Sequence, residues 1–189
     1  IDACRRLIEL TEADGLYLHL NPLQEALQPE GDTQFRGLLR RIETLCSVLP
    51  VPVIVKEVGW GLSAEVAQQL VDAGVAALDV AGAGGTSWSQ VEFHRQTTSS
   101  AQEVAASFRN WGIPTAESLR QVRKIAPDLP LIASGGLQTG IDVAKCLALG
   151  ANVTALAAIL LRAAAVSSEA LQERMLAQRC KGHRCPHCH

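Results

Sequence analysis

Five short apolar runs, each ending in a polar or glycine-rich stretch and each followed by residues of helical period, constrain this chain more than any other feature. The runs cover residues 15–20, 51–56, 76–81, 131–133 and 152–157, and they are rich in Val, Ile, Leu and Ala with little alternation. Strands covered on both faces read this way. The segments between them carry helical signals. Residues 35–48 set Leu38, Leu39, Ile42 and Leu45 on one stripe that continues to Leu49. Ser63 is placed to cap a helix that buries Val66, Ala67, Leu70 and Val71, with Gly74 at its end. Thr115 is placed to cap another, with Leu119, Val122 and Ile125 inward and Pro127 stopping it. Thr139 and Asp142 stand at capping-box distance before a fourth, which Gly150 closes.

Alternating βα units of this kind predict a parallel sheet. An open doubly wound sheet gathers ligand residues at one switch point, whereas a closed barrel draws them from many strand ends. Polar or glycine-rich stretches follow the strands at 21–25, 56–57, 82–88 and 134–139, which favours the TIM barrel. A barrel has eight strands and takes about 250 residues. The expectation is therefore that this chain carries the last five βα units of one. Its opening, Ile1-Asp2-Ala3-Cys4-Arg5-Arg6, reads as the middle of a helix, with no initiator methionine and no visible signal peptide. A fragment is expected: 1–166 as the C-terminal part of a barrel, 167–179 as a terminal helix and 180–189 as a separate tail.

The 189 residues are 48% hydrophobic and 19% charged with a formal net charge of -2, the composition of one soluble domain. Such a charge gives no reason to expect nucleic acid or an anionic membrane as a partner, and no uncharged apolar run reaches about 18 residues. Of six cysteines, Cys4, Cys46 and Cys146 stand alone in helical patterns and read as small buried apolar residues. Scattered thiols fit a reducing, cytoplasmic compartment. Cys180, Cys185 and Cys188 share the last ten residues with His183, His187 and His189. This tail reads as an unstructured end, or as one knuckle of a zinc site.

The strand at 15–20 stops at Asn21-Pro22, because proline has no N–H for a ladder. His19, Asn21, Gln24 and Glu25 are thereby pushed onto a loop where a scaffold aims them at a ligand. Lys56 ends the run Val51-Pro52-Val53-Ile54-Val55, so it either pairs in solvent with Glu57 or points into the barrel mouth. Inside the mouth it needs an anion or an electron-rich ring, such as a flavin edge. Gly82-Ala83-Gly84-Gly85-Thr86-Ser87-Trp88 follows a buried strand and allows close approach of a ligand. Ser134-Gly135-Gly136-Leu137-Gln138-Thr139-Gly140 joins a late strand to a capped helix, where barrels usually bind phosphate. A carboxylate at Glu25 suits Mg²⁺, which takes oxygen ligands and shares them with phosphates.

Together these residues resemble type 2 isopentenyl-diphosphate isomerase, the flavin-dependent isomerase of isoprenoid synthesis. The resemblance rests on His19-Leu20-Asn21-Pro22-Leu23-Gln24-Glu25, Val53-Ile54-Val55-Lys56-Glu57-Val58-Gly59 and the two glycine stretches, together with Trp111-Gly112-Ile113-Pro114-Thr115-Ala116. It runs in family order from Ile1 to about Ala164 and covers roughly the C-terminal half of such an enzyme. It implies a TIM barrel holding FMN that NADPH reduces, with Mg²⁺ on the substrate diphosphate, a 1,3-proton shift and homo-oligomeric assembly. By the same resemblance, Gln24 is the catalytic and substrate-contacting glutamine, His19 and Asn21 bind the diphosphate, and Glu25 is the Mg²⁺ ligand. Lys56, Thr86, Gly136, Leu137, Gln138, Ala157 and Ala158 take the FMN contacts.

The residue types suit that chemistry. No side chain here is an obvious acid for an unactivated alkene, whereas a reduced flavin can act through its N5. Three positions depart from the family pattern: Gln138 replaces a basic residue, Ala155 a glycine, and Ala158-Ile159 a Leu-Pro-like pair. Two alternatives remain open. One is another FMN-dependent barrel oxidoreductase, such as a 2-hydroxy-acid oxidase, although residues 82–88 lack the histidine base and arginine such enzymes use. The other is a non-catalytic half barrel that self-associates through its open edges.

Overall fold

The strands lie side by side in the order in which they occur in the chain. In the computed structural model, which describes residues 1–178, the sheet order is β1-β2-β3-β4-β5 and every neighbouring pair is parallel. The elements are α1 (Asp2–Thr11), β1 (Leu16–His19), α2 (Pro22–Leu27), α3 (Leu38–Val48), β2 (Val53–Lys56), α4 (Ala64–Asp72) and β3 (Ala77–Asp79). They continue with α5 (Trp88–Arg95), α6 (Ser99–Ser107), α7 (Thr115–Ile125), β4 (Leu131–Ala133), α8 (Gly140–Ala148), β5 (Val153–Thr154), α9 (Ala158–Ala164) and α10 (Ser168–Gln178). A doubly wound sheet reverses its winding at a switch point. This one never reverses, which makes it a five-stranded part of a TIM barrel. The Cys/His-rich tail lies outside the described residues.

Register sorts the strand residues onto two faces. Leu18, Val55, Leu78 and Leu131 are partners across the sheet, and so are His19, Lys56, Asp79, Ile132 and Val153. The first set packs under the helices with Ala67 and Leu70 of α4 and Leu119 and Val122 of α7. Burying each such Leu or Val contributes about 1.5–3 kcal/mol. A second cluster of Ile8, Leu16, Leu45, Leu49 and Val53 fastens α1 and α3 to the first two strands. At the amino end of the sheet, Arg123 donates to the carbonyls of Gly150, Ala126 and Leu129 and to Asn152 Oδ1, which also accepts Leu131 N–H. That end is a structural clamp.

Several sequence expectations are corrected. The first, second, third and fifth strands are shorter than the apolar runs, and β5 stops at Thr154, so Ala157 is the residue before α9 rather than part of a final strand. Two further ladder bonds flank it among the described residues, Asn152 N–H to Leu131 O and Ala155 N–H to Ala133 O. Leu39 and Val66 are exposed, one step off the buried stripes of their helices. Gly37, with φ 73°, delays α3 to Leu38. Pro114 rather than Thr115 caps α7, and the Thr115 hydroxyl instead donates to Ser134 O at 3.2 Å and Gly135 O at 2.7 Å. Ser63 and the Thr139–Asp142 capping box are as the sequence predicts.

Candidate functional site at the carboxyl end of the sheet

The carboxyl ends of β1, β2 and β3 bring His19, Lys56 and Asp79 side by side on the inner face. His19 is exposed and Lys56 half-buried, while Asp79 is buried. Burial and the neighbouring Lys56 ammonium hold the His19 imidazole below its usual value, with Glu25 opposing the shift. Burial raises Asp79, against the Ser134 hydroxyl, which donates to Asp79 Oδ1 at 2.6 Å, and against Lys56 and the Ala81 N–H. Lys56 Nζ donates to the backbone oxygen of Glu57 at 2.6 Å and not to its carboxylate. The carboxylate turns the other way and accepts the N–H groups of Val58, Gly59 and Trp60 on Oε2. Of the two sequence readings of Lys56, the one that turns it inward matches the register.

Asn21, Gln24 and Glu25 are not on a free loop. Pro22 occupies the first position of α2, where its missing N–H costs nothing, and the polar residues ride on the opening turns of that helix. Asn21 Nδ2 donates to Glu25 Oε1 at 2.7 Å, and Asp32 N–H donates to Glu25 Oε2 at 2.9 Å. Gly31 makes the second bond achievable, because any Cβ there would collide with the backbone of Glu25. Gln24 Nε2 reaches Glu92 Oε1 at 3.4 Å, and its Oε1 lies 3.5 Å from Asn21 Nδ2. Glu92 is 1% exposed and also accepts from Gln28 and Arg95. A carboxylate only accepts, so it obliges Gln24 to present its amide nitrogen and fixes which way the side chain faces.

The glycine stretches after β3 and β4 lie against each other. A Cβ on Gly135 would strike Gly82, and one on Gly136 would strike Gly84, at φ 101° and 76°. Part of their glycine content is therefore required by loop packing. Their N–H groups at Gly84, Gly85, Thr86, Gly135, Gly136 and Leu137 have no acceptor among the described residues. Gln138 differs, since its N–H already goes to Asp142 Oδ2 at 3.2 Å. Ala157 and Ala158 stand at the start of α9. Thr86 is exposed.

Sequence reasoning missed Asp79, Glu92 and Ser134. Asp79 carries a signal, a carboxylate inside an apolar run one register step from Lys56. Glu92 carries none, because it looks like any helical glutamate until α5 packs beside α2. Glu25 with Asn21 makes an oxygen-rich but incomplete donor set. No group of three or more His, Cys, Asp or Glu gathers into a metal cage among the described residues. One carboxylate suits a hard cation whose remaining ligands are phosphate oxygens and water.

Parallel winding and a polar rim at the strand ends define part of an α/β barrel protein. Comparison with known proteins narrows the class. Residues 23–178 match the profile of FMN-dependent dehydrogenase, and the chain belongs to that family. It is similar to isopentenyl-diphosphate delta-isomerase of Nostoc sp., 56% identical over 173 residues, which is 92% of this chain and 49% of that protein. The Synechococcus sp. protein of the same name is 59% identical over 169 residues, 89% of this chain and 49% of that one. The chain spans about half the length of the curated relatives it matches. Among solved structures, a GMP reductase from Trypanosoma brucei superposes with a TM-score of 0.54 at 25% identity, covering 84% of this chain and 31% of that one. No helix among the described residues is long and apolar enough to cross a membrane.

Proposed function

We propose that this chain is the C-terminal part of an enzyme that interconverts isopentenyl and dimethylallyl diphosphate by a 1,3-allylic proton shift, with reduced FMN, Mg²⁺ and NADPH as reductant. The observation that carries the reading is the hydrogen-bonded rim of Asn21, Gln24 and Glu25, beside His19 at the end of β1, in a chain 56% identical to a curated isomerase of that name. When bound, reduced FMN supplies proton transfer to and from carbon, and Mg²⁺ neutralises diphosphate charge. The residues of the chain bind and orient. Glu25, held on both oxygens by Asn21 and the Asp32 N–H, is the Mg²⁺ ligand. His19, whose imidazole is held below its usual value by desolvation and Lys56, meets the diphosphate together with Asn21. Gln24, oriented by Glu92, faces the allylic carbons as the catalytic amide. Binding of the remote diphosphate then positions the reacting carbons.

The FMN contacts in this reading are Lys56, Thr86, Gly136, Leu137, Gln138, Ala157 and Ala158. Gln138 acts through its side chain, because its N–H is committed to Asp142. The unpaired N–H groups of the two glycine stretches support a bound phosphate. A cytoplasmic setting is supported by the free thiols of Cys4, Cys46 and Cys146. Homo-oligomeric assembly of the complete protein belongs to the same reading. A 2-hydroxy-acid oxidase is disfavoured because residues 82–88 contain neither histidine nor arginine.

The test is a chimera in which this chain replaces the matching half of the Nostoc isomerase. Conversion of isopentenyl to dimethylallyl diphosphate that needs FMN, Mg²⁺ and NADPH, and that falls when Gln24 or Glu25 is replaced, supports the reading. A folded, FMN-loaded chimera without isomerase turnover contradicts it.

A further inference from the structure

A cavity of about 540 Å³ lies beside the polar rim, walled by Leu20, Leu23, Trp60, Leu62, Trp111 and Ile113. That volume suits a small organic ligand. Its shape is fixed by the backbone: Ile113 N–H donates to Trp60 O at 2.7 Å, and Ala83 N–H donates to Ile113 O at 2.9 Å. Gly112, at φ 121°, lets the chain press against Trp60. The wall is thus built before any ligand arrives.

One charged group lines this apolar space. Glu57 is 8% exposed, and its Oε2 is saturated by three backbone N–H groups. Its Oε1 has no hydrogen-bond partner among the described residues, and no cation there lies within ion-pair distance of it. A nearly buried carboxylate with a free oxygen repels a diphosphate, so the cavity does not fit the substrate proposed above. It fits the opposite charge. Trp60 and Trp111 add indole faces, to which cations are drawn.

We infer that this cavity binds a small organic ammonium carrying an apolar group, its nitrogen on Glu57 Oε1 and its hydrocarbon between Trp60 and Trp111. The proposed contacts involve no FMN, so the test runs on the purified chain. Phenethylammonium is titrated against 15N-labelled protein, with 2-phenylethanol as the uncharged comparison, and the indole N–H signals are followed. Saturable shifts of Trp60 and Trp111, with the amine binding about tenfold or more tighter than the alcohol, are expected. Glu57→Gln, whose amide oxygen still accepts N–H groups, should bring the amine down to the alcohol. Trp111 is 62% exposed, so Trp111→Ala disturbs the fold little and should weaken both probes. Equal affinity for amine and alcohol in the unaltered chain, absence of saturation, or an unchanged Trp111→Ala variant overturns the inference, whether or not Glu57→Gln folds.

Discussion

The two faces of one sheet follow opposite rules. On the helix side Val55, Leu78 and Leu131 are fully buried in the main hydrophobic cluster. One residue further along the same strands, Lys56 and Asp79 are charged and Ile132 is only half-buried, and Val153 of β5, the register partner of Ile132, is 56% exposed. Side chains alternate across a strand, so a single step in sequence separates a residue that holds the fold from one available for chemistry. The apolar burial is concentrated on the helix-side face.

The comparison is broken or sharpened by substitution. The largest effect is expected from Leu78→Ala, which leaves a cavity under α4 and α7 and should cost about 2–5 kcal/mol in denaturant unfolding. A loss below 1 kcal/mol would mean that the helix-side face is not the core. Next comes Asn21→Ala on the rim. Loss of its bond to Glu25 should weaken Mg²⁺ binding to the substrate-loaded chimera by about 10–100-fold while leaving the unfolding midpoint nearly unchanged. A drop in stability with unchanged Mg²⁺ affinity would assign Asn21 to the fold instead.

Asp79→Asn should give a smaller effect, visible in its pH dependence. Burial raises this carboxyl above its ordinary 3.8, so the folded chain holds the proton more tightly than the unfolded one. Stability is then greatest below the ordinary value and falls as pH rises through the raised folded value. The asparagine variant should lose that part of the fall, leaving the share that Glu57, raised by its own burial, contributes in the same direction. Superimposable pH profiles would contradict the burial argument. Last, Val153→Thr on the exposed inner face should stay within about 0.5 kcal/mol.

The fold was legible because its determinants are local and periodic. Strand order followed from βα alternation, and the caps at Ser63 and Thr139 from side chains that meet their own helix. What escaped depends on distance in space. Leu39 and Val66 lie beside buried stripes that sequence period alone draws too wide. The helix beginning at Pro22 was hidden by a residue that stops a strand and starts a helix equally well. α5 and α6 carry polar and alanine-rich sequences without a clear apolar stripe. The proposed site residues His19, Asn21, Gln24 and Glu25 stand out in the sequence because they cluster in seven residues. Glu92, 68 residues from Gln24, became a partner only through the packing of α5 on α2.

The central claim is that the rim and the two glycine stretches open on one FMN-binding mouth. It is tested most directly by adding FMN to the 15N-labelled chain and mapping which amide signals move. The account predicts weak but saturable shifts at Gly84, Gly85, Thr86, Gly135, Gly136 and Leu137 and along residues 19–25, all lost together in Lys56→Met. Shifts confined to the Trp60–Trp111 cavity, or a Lys56→Met variant that responds like the unaltered chain, would contradict it.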